Sequence, residues 1–287
     1  PARTGAALTQ TLEAAATQAG VDILTEARAE ELVVTPDRRV LGVRVRRPDD
    51  SLETIGCHAL LLACNGYGGA PELRRRFIPE MADAAFGGHT GNDGTAIRWG
   101  EALGAALADM RAYQGHGSWA MPHGVLISWA LMVEGGVQVN ADGERFHDES
   151  QGYSEAALHV VAQPGRVAWN VFDGPIHAMA QAFPDFVEAE RAGAVRRAST
   201  VDELAAHIGC APDRLARTLD AWRPGEPDGF GRRMARKLEA PFFAVKVTGA
   251  LFHTQGGLAV DGRCRVQDLA GQALGNLWAA GGAARCV

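Results

Sequence analysis

Two glycine-rich segments near the carboxyl end place the strongest constraint on how this chain can fold. Residues 253–257 read HTQGG after an apolar stretch, and residues 277–282 read LWAAGG. Because glycine has no Cβ atom, the backbone at each Gly-Gly pair can approach a ligand closely. We therefore predict that the backbone of these segments approaches a ligand, with the imidazole of His253 close to it.

The composition is that of an ordinary globular protein. Of the 287 residues, 47% are apolar and 22% are charged, so the chain can bury a substantial core and has room for two domains. The net charge of -6 argues against a nucleic-acid partner, which would require clustered Lys and Arg residues. No apolar run reaches the roughly 18 residues of a membrane span.

The cysteines are odd in number, widely spaced and without a C-x-x-C pair. They are Cys57, Cys64, Cys210, Cys264 and Cys286. This pattern argues against a disulfide framework and a zinc site, and it fits a reducing cytoplasm. No metal site is predicted, because the histidines lack the spacing of a metal-binding motif. The chain opens at Pro1 rather than Met, which we interpret as a sign that its natural start lies upstream.

Hydrophobic periodicity predicts mixed helices and strands in the first hundred residues. Apolar residues repeat on one helical face from Thr4 to Ala19, and Gly20 follows as a stop. Strands are expected at Val21–Leu24, Glu31–Val34, Val40–Val45, up to Gly56, and at Ala59–Ala63. Helices are expected at Pro71–Arg76 and Ala96–Ala106. The run Ala59–Ala63 is apolar throughout, which predicts a parallel strand covered on both faces.

The character of the sequence changes between about Tyr113 and Val247. Apolar runs become shorter there, and Trp, His, Pro and Gly become more frequent. We interpret this region as an inserted α+β domain with paired helices at Thr200–Ile208 and Asp213–Trp222. The chain then returns through Phe242–Val247 to the glycine-rich segments.

Several motifs resemble segments of the fumarate reductase and succinate dehydrogenase flavoprotein superfamily. CNGYGG at 64–69 resembles that family's A-T-G-G-F-G-G-N, with Cys64 and Asn65 where Thr and Gly are usual. TGNDG at 90–94 is similar to the family's T-G-D-G turn, and QGHGS at 114–118 to its Q-x-H-P-T segment. VNADGERFHDE at 139–149 is similar to its V-N-x-x-G-x-R-F-x-D-E block. Among subgroups, the chain looks most like tricarballylate dehydrogenase and its relatives.

The resemblance implies FAD as cofactor and an α/β flavin domain, partly Rossmann-like with a β-meander, plus an inserted α+β capping domain. It implies that residues 1–112 and 249–287 belong to the flavin domain and residues 113–248 to the cap. The positions implied to contact FAD are Ala29, Ala63, Asn65, Gly66, Asp93, Gly94, Gln255, Gly256, Gly281 and Gly282. No G-x-G-x-x-G fingerprint for the pyrophosphate stands near the start, so we expect a flavin domain cut at both ends.

The same resemblance implies roles for two histidines. His116 and His253 match histidines that hydrogen-bond a substrate carboxylate in relatives, where they would supply charge-assisted hydrogen bonds and positioning. The alternatives are a loop residue pointing into solvent for His116 and a hydrogen-bonded strand-end residue for His253. Arg145 and Glu149 are expected to form a buried pair that stiffens the cap.

The chain departs from the fumarate reductases at Tyr153, which aligns with an Arg that delivers a proton in those enzymes. A phenol can act as general acid or base, but it cannot hold the permanent charge of a guanidinium. Ser128-Trp129 likewise stand where relatives carry Thr-Glu. These differences disfavour fumarate reduction itself and favour oxidation or another substrate. A packed aromatic side chain is the alternative interpretation of Tyr153.

Together these features predict an FAD-dependent dehydrogenase or reductase that exchanges hydride between flavin N5 and a carbon next to a carboxylate or ketone. A small, tricarballylate-like carboxylate is the expected substrate, and a separate electron acceptor is the expected partner. A 3-ketosteroid dehydrogenase-like enzyme is an alternative, since Trp119, Trp129 and Trp169 permit an apolar substrate. A non-catalytic binding remnant or an inactive fragment is the other alternative.

Overall fold

The computed structural model describes residues 5–285, in which helices alternate with strands. The helices are α1 (Gly5–Gln18), α2 (Pro71–Phe77), α3 (Thr95–Ala102), α4 (Ala130–Val133), α5 (Tyr153–Val161), α6 (Gly174–Ala180), α7 (Pro184–Arg191), α8 (Val201–Ile208) and α9 (Pro212–Asp220). The strands are β1 (Arg28–Val34), β2 (Val40–Arg46), β3 (Leu52–Gly56), β4 (Leu60–Leu62), β5 (Ala85–Phe86), β6 (Leu107–Ala108), β7 (Tyr113–Ala120), β8 (Val125–Leu126), β9 (Val137–Val139), β10 (Val167–Asp173), β11 (Val195–Ala198), β12 (Phe242–Thr254), β13 (Gly257–Leu258), β14 (Arg265–Gln267) and β15 (Ala273–Ala279). Short 3-10 helices lie at Pro79–Met81, Glu149–Gln151, Pro164–Arg166 and Gly281–Ala283.

The first of two compact units contains the described residues through Leu61 together with Leu274–Trp278. In it, β1, β2 and β3 form an antiparallel sheet in sequence order, which confirms the predicted β-meander. The side chain of Asn276 joins the return strand to this sheet. Its Oδ1 accepts a hydrogen bond from the backbone N–H of Val40 at 3.0 Å, and its Nδ2 donates to the carbonyl of Val40 at 2.8 Å.

Two predictions in this unit are wrong. Val21–Leu24 forms no strand among the described residues, and its apolar side chains are exposed. β4 is not covered on both faces, because Leu61 is 56% exposed. Apolar periodicity reports which side chains could be buried, but a strand forms only where a neighbour pairs with it. The helix predicted at 4–19 is confirmed as α1, although Thr4 lies outside the described residues.

The second compact unit contains Leu62–Ala273 and the described residues from Ala279 onward. Its largest sheet has the strand order β8-β7-β12-β10-β9, and β5 and β11 also pair with β12. The antiparallel partners β7 and β10 hold β12 along most of its length. β12 continues without a break across residue 248, where the sequence predicts a domain boundary. That boundary and the one predicted at residue 112 stay predictions.

Two clusters of buried side chains form the core of this unit. The larger cluster includes Trp129, Phe172, Phe186, Leu215, Trp222 and Val245, and the smaller one includes Tyr67, Ile78, Met81, Ile97 and Leu251. The paired helices predicted near residues 200–222 are confirmed as α8 and α9. Thr200 caps α8 by accepting a hydrogen bond from the backbone N–H of Glu203 at 3.2 Å, and left-handed Gly209 ends it.

Two details of the second unit differ from expectation. α3 ends at Ala102 rather than Ala106, because Gly104 adopts a left-handed conformation with φ of 75°. The turn predicted at 140–143 forms, and Oδ1 of Asn140 accepts from the backbone N–H of Asp142 at 3.0 Å. It comes after β9 but leads into an irregular segment rather than a second strand. Turn residues therefore marked the end of one strand without specifying the conformation of the next segment.

The packing of α5 against β7 decides where a site can form. A Cβ atom on Gly115 or Gly117 of β7 would lie 2.6 Å from an alanine Cβ atom of α5. Because such a distance is sterically forbidden, only glycine lets the helix lie this close to the strand. The Ser154 hydroxyl accepts a hydrogen bond from the backbone N–H of Gly115 at 3.0 Å, which fixes the start of α5 on the strand. Tyr153 is thereby brought beside His116.

None of the described helices is long and apolar enough to cross a membrane. The cysteines within residues 5–285 are free thiols, and Cys286 lies outside that range. The prediction of a chain without a disulfide framework therefore agrees with every cysteine that the structure describes.

Candidate functional site

A cleft of about 500 Å³ in the second unit brings together His116 and Tyr153. Their rings are stacked, with centroids 5.0 Å apart and an interplanar angle of 17°. Trp129 and Phe252 pack edge-on against the same imidazole, with centroid distances of 5.9 and 6.0 Å. His116 is 8% exposed whereas Tyr153 is 39% exposed. The imidazole is therefore shielded from water, and the phenol remains accessible.

Burial keeps His116 uncharged. Its Nδ1 accepts a hydrogen bond from the backbone N–H of Ser118 at 3.1 Å, so the proton of the neutral ring lies on Nε2. Desolvation lowers the pKa of His116 to about 4. At neutral pH the side chain is thus a hydrogen-bond donor through Nε2–H without being a cation.

Gln114 is a contact of Tyr153 that the sequence did not identify as a site residue. Its Nε2 donates a hydrogen bond to the phenol oxygen at 3.1 Å. Because the oxygen accepts this bond, the O–H proton of Tyr153 is left for another acceptor. The signal was present, since Gln114 belongs to the QGHGS motif that also contains His116.

The remainder of the cleft is small or aromatic. Its other lining residues are Gly115, Leu126, Ser128, Ala130, Phe183, Pro184 and Asp185. The indole N–H of Trp129 is already used, because it donates to the backbone carbonyl of Glu149 at 3.2 Å. Among the described residues that line this cleft, none is Lys or Arg, and Asp185 is the one carboxylate. Sequence motifs did not indicate α7 as a wall, since Pro184 signals only the start of a helix.

His253 is separated from this cleft. It lies on β12 with its Cα paired to that of Gln114, but the residue of β12 that lines the cleft is Phe252. The pairing of β12 with β7 is irregular between Leu251 and His253, so regular strand alternation does not hold at Phe252. The role of His253 in substrate binding stays a prediction.

Four of the segments predicted to hold the flavin meet in this unit. The backbone N–H of Gly94 donates to the carbonyl of Gly66 at 3.1 Å. A Cβ atom on Gly66 would lie 2.2 Å from the Thr254 hydroxyl, and one on Gly282 would lie 2.3 Å from Oδ1 of Asn65. Because these glycines have no Cβ atom, the four segments can approach one another closely.

The pair Gly256–Gly257 also packs closely against other backbone segments of the protein. A Cβ atom on Gly256 would lie 2.4 Å from Cα of Met110, and one on Gly257 would lie 2.6 Å from the carbonyl carbon of Ala284. The backbone N–H of Gln255 donates to a backbone carbonyl at 2.8 Å. These main-chain groups are engaged within the protein, so their part in binding FAD stays a prediction.

The outer face of these loops is exposed and lined by small residues. Ala63, Asn65 and Gly281 are exposed, and no described heavy atom lies within 4 Å of the point where a Cβ atom on Gly281 would be. Asn65 adopts a left-handed conformation with φ of 64°, which Asn tolerates better than other non-glycine residues. This explains how Asn can replace the glycine of relatives. Small side chains and accessible main chain leave room for a planar ring.

Two further predicted FAD contacts are Asp93, which directly precedes Gly94, and Ala29. Oδ1 of Asp93 accepts hydrogen bonds from the backbone N–H and the hydroxyl of Thr95, at 2.9 and 2.6 Å, and so stabilises the start of α3. Ala29 lies on β1 of the first compact unit and is exposed. Both contacts with FAD stay predictions.

A larger cleft of about 690 Å³ contains none of the predicted site residues. Two of the arginines that line it are already paired. Arg232 contacts Glu149 at 2.9 Å, and Arg236 contacts Asp173 at 2.8 Å. With those charges satisfied, this cleft offers weaker chemistry than the one that contains the stacked imidazole and phenol.

A buried ion network supports the wall of the site. Nη2 of Arg145 lies 2.5 Å from Oε2 of Glu149, which confirms the predicted buried pair. Arg232 and Asp228 extend it, since Arg232 bonds Glu149 and Asp228 bonds Arg145. The Glu149 side chain has 0% exposure and that of Arg145 has 6%. Two guanidinium groups and two carboxylates thus neutralise one another away from water.

Acidification is expected to destabilise the fold through two buried histidines. Desolvation lowers the pKa of both His116 and His147 to about 4. The unfolded chain binds these protons below about pH 6.5 while the folded chain does not, so the free energy of unfolding falls from about pH 6.5 towards pH 4. At pH 5, each histidine is expected to cost about 1–2 kcal/mol of stability, as measured by urea unfolding.

The variant His147→Gln tests this assignment. It is expected to lose about 1 kcal/mol less than the unmodified protein between pH 7.5 and pH 5. Gln151→Asn, a change at an exposed position that removes no titratable group, is expected to leave the pH dependence unchanged. Equal pH dependence in all three proteins would show that His147 does not control the acid response.

Comparison with known proteins places this geometry in a family. The model of the FAD binding domain family matches residues 1–287. The probable fumarate reductase Ifc3 of Shewanella frigidimarina (strain NCIMB 400) is 29% identical over 283 residues, which cover 96% of this chain and 48% of that protein. The 4-oxocyclohexanecarboxylate 2-dehydrogenase of Sinomonas cyclohexanicum is 26% identical over 331 residues, covering 97% of this chain and 55% of that protein.

A solved structure supports the same assignment. The open conformation of a flavocytochrome c3 fumarate reductase superposes with a TM-score of 0.83 at 29% identity, covering 96% of this chain and 50% of that one. This likeness confirms the predicted fold class, an α/β flavin domain with an α+β cap. The chain spans about half the length of the curated relatives it matches. The family match over residues 1–287 shows that this chain belongs to the FAD binding domain family.

Proposed function

We propose that the full-length protein is an FAD-dependent oxidoreductase acting on a carbon–carbon bond next to a carbonyl or carboxylate group. The stacked pair of His116 and Tyr153 carries this proposal, because it presents two uncharged hydrogen-bond donors, Nε2–H and Oη–H, in one cleft. Donors of this kind stabilise negative charge that develops on a carbonyl oxygen. When bound, FAD supplies the hydride exchange at N5.

The proposed roles follow from the hydrogen bonds already made. His116 holds the activating oxygen through Nε2–H, because its Nδ1 is occupied by the backbone. Tyr153 exchanges the proton with the substrate, because Gln114 occupies the phenol oxygen and leaves the O–H group available. His253 is proposed as a second contact of the activating group, on the basis of its motif alone.

The sequence favours a small carboxylate of the tricarballylate type, but the cleft favours a substrate with fewer negative charges than that tricarboxylate. His116 is neutral, and the described lining contains no Lys or Arg that would pair with several carboxylates. A ketone substrate, including a 3-ketosteroid, is the second candidate. The aromatic walls formed by Trp129, Phe183 and Phe252 favour it. A separate electron acceptor and a cytoplasmic location complete the proposal.

The full-length protein provides the test. After addition of FAD and desalting, flavin absorbance is expected to stay with the protein. The flavin would then be photoreduced without oxygen and mixed with crotonate or 2-cyclohexenone, and separately with the saturated controls butyrate and cyclohexanone. We expect crotonate or 2-cyclohexenone to reoxidise the flavin, and we expect neither saturated control to do so. A protein that retains flavin but is reoxidised by none of these compounds would contradict the proposal.

A further inference from the structure

We propose that Asp185 determines which substrate charge the cleft accepts. It disfavours dianions and favours a neutral or monoanionic substrate whose far end carries a hydrogen-bond donor, such as a hydroxyl group. This inference rests on the proposed function and names the substrate class for the same site.

The side chain of Asp185 is an anion, whereas a carboxylate substrate would be bound best by a cation. It lies in the first turn of α7 and lines the cleft that contains His116 and Tyr153. Within residues 5–285, no Lys, Arg or His forms an ion pair with it, in contrast to the paired carboxylates Glu149 and Asp228. Its charge is therefore not neutralised by a neighbouring side chain.

Nothing else in the described lining offsets that charge. His116 is neutral, Tyr153 and Gln114 are uncharged, and the remaining walls are apolar, small or hydroxyl-bearing. Asp185 is itself exposed to solvent, so its field acts on a ligand in the cleft through water and is weakened, though not abolished, by solvent and salt. A dianion consequently meets more repulsion than a monoanion of the same shape, while a hydroxyl group on the substrate can donate to the carboxylate.

A purely structural role for Asp185 is the alternative. An acidic residue in the first turn stabilises a helix through its dipole, whether or not a substrate is present. Glu188 provides the matched comparison, because it lies on the same helix, is exposed and carries the same charge, but does not line the cleft. A residue that acts on the substrate changes the relative affinity for ligands of different charge, whereas a residue that only stabilises the helix does not.

The experiment compares two ligands that differ in one charge, succinate and monomethyl succinate. Dissociation constants for the flavin-loaded full-length protein are measured by calorimetry at about pH 7.5, where these ligands carry two charges and one charge. The unmodified protein is expected to bind the monoester about fivefold more tightly, and Asp185→Asn is expected to reduce that preference about threefold, mainly by tightening diacid binding. Glu188→Gln is expected to leave the preference unchanged, and Asp185→Glu to retain it.

Three results would overturn the proposal: an unchanged preference in Asp185→Asn, an equal change in Glu188→Gln, or no detectable binding of either ligand. Circular dichroism confirms that each variant is folded. The failure of the proposed function looks different. A preference that depends on Asp185, in a protein whose flavin is reoxidised by no conjugated compound, would support the charge selection and refute the oxidoreductase activity.

Discussion

Replacing Tyr153 by phenylalanine is expected to lower kcat of the full-length protein by about 10²–10³-fold. The ring stack on His116 would persist in this variant, but the O–H group that Gln114 leaves available would be lost. The phenol is 39% exposed, so stability is expected to change little. Steady-state kinetics with a conjugated carbonyl substrate, together with an unfolding curve for each protein, would measure both effects.

Tyr113→Phe is the matched control for that variant. Tyr113 begins β7, the same strand that carries His116, but it is not part of the described cleft lining. Burial raises the pKa of its hydroxyl to about 12, which disfavours proton exchange there near neutral pH. Turnover of Tyr153→Phe within about threefold of the unmodified protein would identify Tyr153 as a packed aromatic residue and remove it from the mechanism.

Replacing Glu149 by leucine is expected to lower the free energy of unfolding by about 3–5 kcal/mol. Glu149 accepts hydrogen bonds from Arg145, from Arg232 and from the backbone N–H of Gln138. Its removal leaves two guanidinium groups buried without that carboxylate. A buried charge that loses its partner cannot recover the free energy of solvation that it gave up on folding. Urea unfolding at neutral pH would measure the loss.

An exposed ion pair supplies the comparison. Asp213 and Arg217 lie four residues apart on α9, with side chains that are 70% and 69% exposed. Asp213→Ala removes a carboxylate partner as Glu149→Leu does, but water solvates the arginine that remains, so the unfolding midpoint is expected to move far less. Similar midpoints for the two variants would show that the network around Glu149 does not stabilise the fold.

Asp228 belongs to the same network as Glu149. Desolvation alone would raise the pKa of Asp228, yet hydrogen bonds from Arg145 hold that pKa below its usual range.

Local patterns predicted several elements well, for identifiable reasons. Gly209 and Thr200 mark the ends of α8 because capping depends on residues adjacent in the chain. The alternation in β2 predicted its place in the meander, since period-two burial is a property of one strand and its neighbours. Val21–Leu24 shows the limit, because an apolar run cannot specify whether a partner strand lies beside it.

The cleft could be predicted only in part. His116 and Tyr153 were singled out through motifs, and the structure brings them into contact. The wall contributed by Phe183–Asp185 carries no local signal, because its place in the cleft depends on how α7 packs rather than on its own sequence. That Phe252 rather than His253 lines the cleft likewise depends on the irregular pairing of β12 with β7 between Leu251 and His253.

The sequence by itself determined the family, the FAD cofactor and the glycine positions at which backbones approach closely. The family and the cofactor follow from the resemblance of several motifs to known flavoproteins, and the glycine positions follow from the absence of a Cβ atom. Only the tertiary structure decided the charge of His116, the hydrogen bond from Gln114 to Tyr153 and the presence of Asp185 in the same cleft. Desolvation and side-chain contacts depend on segments far apart in the chain, so they exist only once those segments have packed together.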